Sequence, residues 1–207
     1  MRAVKRYFPI FVVPTLIAFV IAFVVPFVMG LVLSFCNFRT VSDAEFIGIG
    51  NYIRIFTEDD TFLNSLWFTV RYAIVSVVTI NVLAFTLALM LSGNIFGTKF
   101  FRTVFFMPNL IGGIVLGYIW QLIINGVLYK YGAAITTDAR YGFWGLVILM
   151  NWQMIGYMMI IYIAGLQAVP EDMLEAAKID GASSWQTLFK VTIPNVMPSI
   201  TICTFLS

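Results

Sequence analysis

Five residues stand out as groups able to bind or position a solute: Asn109, Gly113, Asn151, Gln153 and Tyr157. Asn151, Gln153 and Tyr157 interrupt a run that is otherwise apolar, and Trp152 lies beside them. Asn109 follows Pro108 and precedes Gly113 in a second apolar run. All are neutral. Amide groups, a phenol and aromatic faces are what a neutral, polyhydroxylated solute such as a sugar requires in a water-filled cavity. The same amides equally suit hydrogen bonds between packed helices, because an unpaired amide in hydrocarbon is costly. Gly113 and Gly117 form a small-xxx-small pair, for which helix packing is the simpler role of Gly117.

Other chemistry lacks its parts. Histidine is absent, which removes the commonest general base and metal ligand. Two cysteines, Cys36 and Cys203, sit in apolar context and form neither a disulfide framework nor a zinc site. The string SGNIFGTKF has glycines and a lysine, but Thr98 separates Gly97 from Lys99, so it is not a phosphate-binding P-loop. The net charge of +2 is too small to argue for nucleic acid.

The elements that must hold these residues are membrane spans. Charged residues are 11% of the chain, less than half of the roughly 25% typical of soluble domains. Mean hydropathy is +0.95. A spanning helix needs about 20 mostly apolar residues, and segments 8–35, 67–91, 103–124 and 143–166 qualify. The first run is too long for a signal-peptide core of about 7–15 residues, so it reads as a retained helix, kinked at Pro14 and Pro26. A fifth segment, 195–207, reads as a partial span. The expectation is therefore an all-α polytopic membrane protein, a single transmembrane domain over 1–207. Arg2, Lys5 and Arg6 before the first span argue for a cytoplasmic N-terminus. Alternation then places 37–66 and 125–142 outside, and 92–102 and 167–194 inside.

The inner stretch 167–194 is polar between oily neighbours. Pro170 suits the first position of a helix, and Glu171 and Asp172 favour its dipole. Gly181 suits its stop. Ser183 and Gln186 have capping-box spacing for a second short helix, which Pro194 is expected to break. Small Ala176 and Ala177 beside Trp185, Leu188 and Phe189 make a knob that fits a groove on a soluble partner. An internal connector packed on its own bundle is the alternative.

The string EAA at 175–177, Gly181 four residues later, and Val191, Ile193 and Pro194 beyond it resemble the EAA loop of ABC importer permeases. LQAVPEDMLEAAKIDGAS resembles the carbohydrate branch, the maltose and glycerol-phosphate type, and the order of segments resembles its first permease subunit. FIGIGNYIRIF at 46–56 and FFRTVFFMPNLIGGIVLGYIW at 100–120 resemble further segments of these permeases. The resemblance implies half of a heterodimeric pore in a bacterial or archaeal plasma membrane. A second permease subunit, a cytoplasmic ABC ATPase dimer carrying ATP and Mg, and an extracytoplasmic solute-binding protein that delivers sugar would complete it. This chain would carry no cofactor and no enzyme activity. Glu175, Ala176, Ala177, Asp180 and Gly181 would form the ATPase-coupling helix. Asn109, Gly113, Asn151, Gln153 and Tyr157 match substrate-path positions. The six-helix family core implies that a complete sixth and most of a fifth helix are missing at the C-terminus. Alternatives are a permease for amino acids or peptides, or an ion-coupled secondary transporter. Span interiors without Asp, Glu, His or Lys disfavour the latter.

Overall fold

The structure is a computed structural model. It describes residues 2–40, 43–93 and 96–207, with only the backbone of residues 2–7 and 9. The side chains of Arg2, Lys5 and Arg6, on which the orientation argument rests, thus lie outside the described residues. The backbone contacts cluster into two compact units, Met1–Phe68 and Thr69–Ser207.

The first unit starts with α1 (Arg2–Phe19), a π-turn (Val20–Val24) and α2 (Val25–Leu33), which run on as one apolar rod. The π-turn lies immediately before Pro26: the Val25 N–H reaches back to the Val20 carbonyl. A proline ring clashes with the carbonyl four residues upstream and removes one N–H. Widening the preceding turn moves those carbonyls away, so the helix continues. A short antiparallel pair follows, β1 (Cys36–Asn37) with β2 (Glu45–Phe46), then α3 (Gly50–Thr57). Asn51 ties them together: its amide donates to the Ser34 carbonyl at 3.0 Å and the Cys36 carbonyl at 2.8 Å. The motif at 46–56 is thus a local structural staple. In the turn before β2, the Thr40 amide, helped by the Arg39 amide, holds the exposed Asp43 carboxyl below the ordinary carboxylate range.

The second unit is built on α4 (Asp60–Ser92), which begins before the unit boundary, and on α7 (Ala139–Gln167) and α10 (Ile193–Leu206). Its core stripe on α4 is Ile80, Ala84, Ala88 and Leu91, spaced to share one helical face. Ala84 and Ala88 are fully buried in this cluster. Met158, Met159, Tyr162 and Ile163 of α7, with Val196 and Cys203 of α10, complete it. At one crossing α7 meets α5 (Thr98–Phe106) backbone to backbone, because a Cβ on Gly156 would overlap the Phe105 carbonyl.

Tyr162 is 1% exposed, and its hydroxyl needs a partner. It donates to Asn81 Oδ1 at 2.6 Å, and Asn81 Nδ2 donates to Ser207 Oγ at 2.9 Å. This relay ties α4 to α7 and to the segment after α10. Tyr162→Phe is expected to cost about 1 kcal/mol, the net worth of a typical hydrogen bond, more if Asn81 finds no other donor. Thermal unfolding in detergent checks it, with a melting temperature lower by about 2–4 °C.

Five helical stretches among the described residues are long and apolar enough to cross a membrane: Ile10–Leu33, Asp60–Ser92, Gly113–Tyr131, Ala139–Gln167 and Ser184–Leu206. Two differ from the sequence expectation. The third starts at Gly113, not near 103. Pro108 opens a 3-10 turn (Met107–Leu110), and Ile111 and Gly112 are extended, so α5 ends before α6 (Gly113–Leu128) begins. The fifth starts at Ser184, eleven residues before the expected 195, and runs 23 residues to Leu206. Pro194 does not end the helix that starts at Ser184. A second π-turn (Leu188–Thr192), with the Ile193 N–H bonded to the Leu188 carbonyl, carries the chain past it. This is the same device that precedes Pro26.

Candidate functional site

The polar stretch after the fourth span forms one short helix and a glycine turn, and then leads into the first turn of the Ser184–Leu206 stretch, where two separate short helices are expected from the sequence. Helix α8 (Glu171–Ile179) has Pro170 as its N-cap, one position earlier than the sequence suggests, with Glu171 and Asp172 in the first turn. Its end is closed by three backbone bonds: Asp180 N–H to Ala176, Gly181 N–H to Lys178 and Ala182 N–H to Ala177. Gly181 has φ +74°, the left-handed conformation of a helix C-terminal glycine. Helix α9 (Ser184–Thr187) then starts on a full capping box. Ser183 Oγ accepts from the Gln186 N–H at 3.3 Å, and Gln186 Oε1 accepts from the Ser183 N–H at 2.7 Å. Every bend of this element is thus fixed by local hydrogen bonds, which makes it stiff for its size.

Its outer face is bare. Glu175, Ala176, Asp180 and Gly181 are exposed, and Ala177 is half-buried. Trp185 and Phe189 are 70% and 59% exposed and stack with ring centroids 6.0 Å apart. A shallow hollow of about 360 Å³ lies between Ala177, Asp180, Gly181, Gln186 and Lys190. Large rings presented to water beside an acidic helix suit a protein partner better than a lone surface does.

The proposed solute-contacting residues divide between two faces of α7. Asn151 points to α4: its amide donates to Thr79 Oγ1 at 2.9 Å and to the Val147 carbonyl at 2.8 Å. It is 8% exposed, so here it clasps two helices. Gln153 and Tyr157, four residues apart, share another face and are half-buried. Asn109, in the 3-10 turn, reaches that side, with its amide 3.7 Å from Met154 Sδ. Gly113 opens α6 and is exposed. A Cβ at Gly113 or Gly117 would meet nothing within 4 Å, so the helix packing expected of Gly117 is not made within this chain. Gln153 and Tyr157 thus share a face of α7 apart from the Asn151 clasp, and Asn109 meets α7 at Met154.

Sequence reasoning missed the Tyr162–Asn81–Ser207 relay, the Gly156 crossing and an Arg102 clasp in which Nη2 donates to the Leu91 carbonyl at 2.7 Å. Asn81 is a lone amide in an apolar run, which was a usable signal.

Several apolar helices of spanning length define a multi-pass helical membrane protein. Residues 80–207 match the model of the binding-protein-dependent transport system inner membrane component, and the chain belongs to this family. It is 39% identical over 206 residues to the probable starch degradation products transport system permease protein AmyD of Thermoanaerobacterium thermosulfurigenes, covering 96% of this chain and 70% of that one. It is 31% identical to the multiple sugar-binding transport system permease protein MsmF of Streptococcus mutans, covering 84% of this chain and 63% of that one. It is 30% identical to the arabinooligosaccharides transport system permease protein AraP of Halalkalibacterium halodurans, covering 94% and 64%. The fold is also that of a chain in the crystal structure of a bacterial ABC transporter involved in the import of alginate, with a TM-score of 0.79, 20% identity, and 99% and 73% of the two chains covered. The chain thus spans about two thirds of the length of its curated relatives.

Proposed function

We propose that this chain forms half of the translocation pore of an ATP-driven, binding-protein-dependent sugar importer and couples to a cytoplasmic ATPase through α8 and the Gly181 turn. The observation that carries the coupling role is the stiff, outward-facing α8 and Gly181 turn between the fourth span and Ser184, with Glu175 exposed and the exposed Trp185–Phe189 pair at the start of the stretch that follows. A rigid element fixed at both ends to the bundle transmits displacement by contact. Relatives named for starch degradation products, multiple sugars and arabinooligosaccharides support a sugar as cargo. In this reading the N-terminus is cytoplasmic, ATP and Mg sit on the partner ATPase dimer, a second permease subunit completes the pore, and a solute-binding protein delivers the sugar outside.

The test is uptake by proteoliposomes that hold the assembled transporter, with ATP inside and the binding protein outside. Accumulation of a labelled oligosaccharide that stops without ATP is the expected result. ATP-independent uptake, or uptake of amino acids or peptides alone, overturns the reading.

The cargo path runs past Asn109, Gly113, Gln153 and Tyr157, and Asn151 acts from behind by holding α7 against α4. Tyr157→Ala is expected to lower sugar uptake about tenfold while complex assembly is retained, since a lost ring face and hydroxyl together remove about 1–3 kcal/mol. Uptake rates and the yield of assembled complex are measured side by side. Equal losses in both assign Tyr157 to packing.

A further inference from the structure

Another hollow lies at the end of α7, next to Gln167. It is an open hollow of about 730 Å³, with Lys99, Arg102, Ser92 and Gln167 in its lining beside Phe96 and two glycines. Ser92 is the last residue of the Asp60–Ser92 span and Gln167 the last of the Ala139–Gln167 span. The hollow therefore opens where two spans leave the membrane. It has two cations in its lining and no carboxylate. Neither cation is neutralised: among the described residues the one ion pair is Arg54 with Glu58. Arg102 spends Nη2 on the Leu91 carbonyl, while its Nε is enclosed with no hydrogen-bond partner.

Helix α5, which carries both cations, shows water-averse groups on its other sides. Phe100, Phe101, Val104 and Phe105 are all exposed, at 67%, 45%, 42% and 36%. A short helix with aromatic and aliphatic groups bare on one side and Lys and Arg on the other suits the plane between headgroups and acyl chains. There the phenylalanines are solvated by lipid tails and the cations stand at the depth of lipid phosphate.

We infer that the hollow between Lys99, Arg102, Ser92 and Gln167 holds the phosphate diester of an anionic phospholipid headgroup at the end of the bundle. The chemistry fits on three counts. A phosphate oxygen is the strong acceptor for a guanidinium, and Arg102 brings its charge to the wall of the hollow. The Lys99 ammonium supplies a point charge beside it. Ser92 and Gln167 offer neutral side-chain partners for the glycerol of a headgroup. A soluble phosphate shares the phosphate chemistry, but it has no use for the bare aromatic face of α5, which is what selects the lipid. The inference rests on the membrane-spanning placement of α4 and α7 and not on the cargo or the coupling partner. It is read out without transport, so its failure and the failure of the importer reading are separable.

The experiment uses the full chain, purified in a neutral detergent, exchanged into nanodiscs of equimolar phosphatidylglycerol and phosphatidylcholine, and then released for native mass spectrometry. Lys99→Gln tests the site. Lys130→Gln, at the end of the Gly113–Tyr131 span, is the control for general surface charge. Arg102 is left intact because its replacement would also break the Leu91 clasp. The unaltered chain is expected to retain phosphatidylglycerol over phosphatidylcholine. Lys99→Gln is expected to lower that preference about fivefold, the worth of one basic residue at an anionic surface, and Lys130→Gln to leave it unchanged. No preference in the unaltered chain, or an equal loss in the two variants, overturns the inference. Displacement of phosphatidylglycerol by excess inorganic phosphate assigns the hollow to a soluble anion and overturns it too.

Discussion

Gly156→Val is expected to lower the melting temperature of the detergent-solubilised protein by about 10 °C, the largest stability effect of any single substitution considered. The figure follows from about 3 kcal/mol at roughly 2–4 °C per kcal/mol for a chain of this size. At Gly156 an added Cβ would overlap the Phe105 carbonyl and come within 2.8 Å of the Phe106 amide nitrogen. A flexible side chain would move aside, whereas a backbone carbonyl moves only with its helix. Overpacking that displaces backbone lies at the upper end of about 1–3 kcal/mol. Helix α5 and the Met107–Leu110 turn both pack on α7 at this level, so the displacement reaches Asn109 as well. Gly117→Ala is the matched control. A Cβ there meets nothing, so its melting temperature is expected to move by no more than about 2 °C, the scale of an ordinary surface change. Equal shifts in the two variants would show that the loss comes from helix propensity and not from the crossing.

That crossing also shows why parts of this molecule are legible in sequence and parts are not. Helix existence follows from hydropathy, and the cores of the second and fourth spans fall inside α4 and α7 as expected. Caps are local, so Gly181, Ser183 and Gln186 announce the turn and the capping box from their spacing alone. Proline is where local reasoning fails. Pro26, Pro108 and Pro194 have the same covalent constraint and three contexts. Pro26 and Pro194 each follow a π-turn and let a helix continue, while Pro108 opens a 3-10 turn that divides one expected span. Packing does not separate the outcomes simply: the helix around Pro26 has no buried residue, while Pro108 is buried where its turn packs on α7. The site residues divide in the same way. Asn151 and Gln153 read alike in sequence, two amides in one apolar run. Only the position of α4 gives Asn151 its Thr79 partner and leaves Gln153 on the other face. Gly113 and Gly117 have the spacing of a packing pair and no neighbour within this chain, while Gly156, with no such spacing, makes the closest approach.

Glu175→Lys is expected to reduce ATP-driven uptake at least about 30-fold, since removing a central contact in a protein interface costs about 2 kcal/mol or more and reversing its charge adds repulsion. Within the chain Glu175 is exposed and makes no ion pair among the described residues. Its replacement should therefore change the protein's own stability by no more than about 0.5 kcal/mol. An unchanged melting temperature with lost uptake then locates the defect in a contact beyond this chain. Gly181→Val approaches the same element through its shape. At φ +74° a β-branched residue is strained, and leaving that conformation costs α8 its closing bonds from Gly181 to Lys178 and Ala182 to Ala177. If α8 is a lever, bending its end disconnects it, and ATP hydrolysis by the assembled transporter should persist while uptake falls. Hydrolysis and uptake measured on the same proteoliposomes separate the two outcomes. Wild-type uptake in Glu175→Lys would place the motor's grip elsewhere than on this face. Hydrolysis and uptake that fall in proportion in Gly181→Val would make the turn a requirement for assembly, with no part in transmitting force.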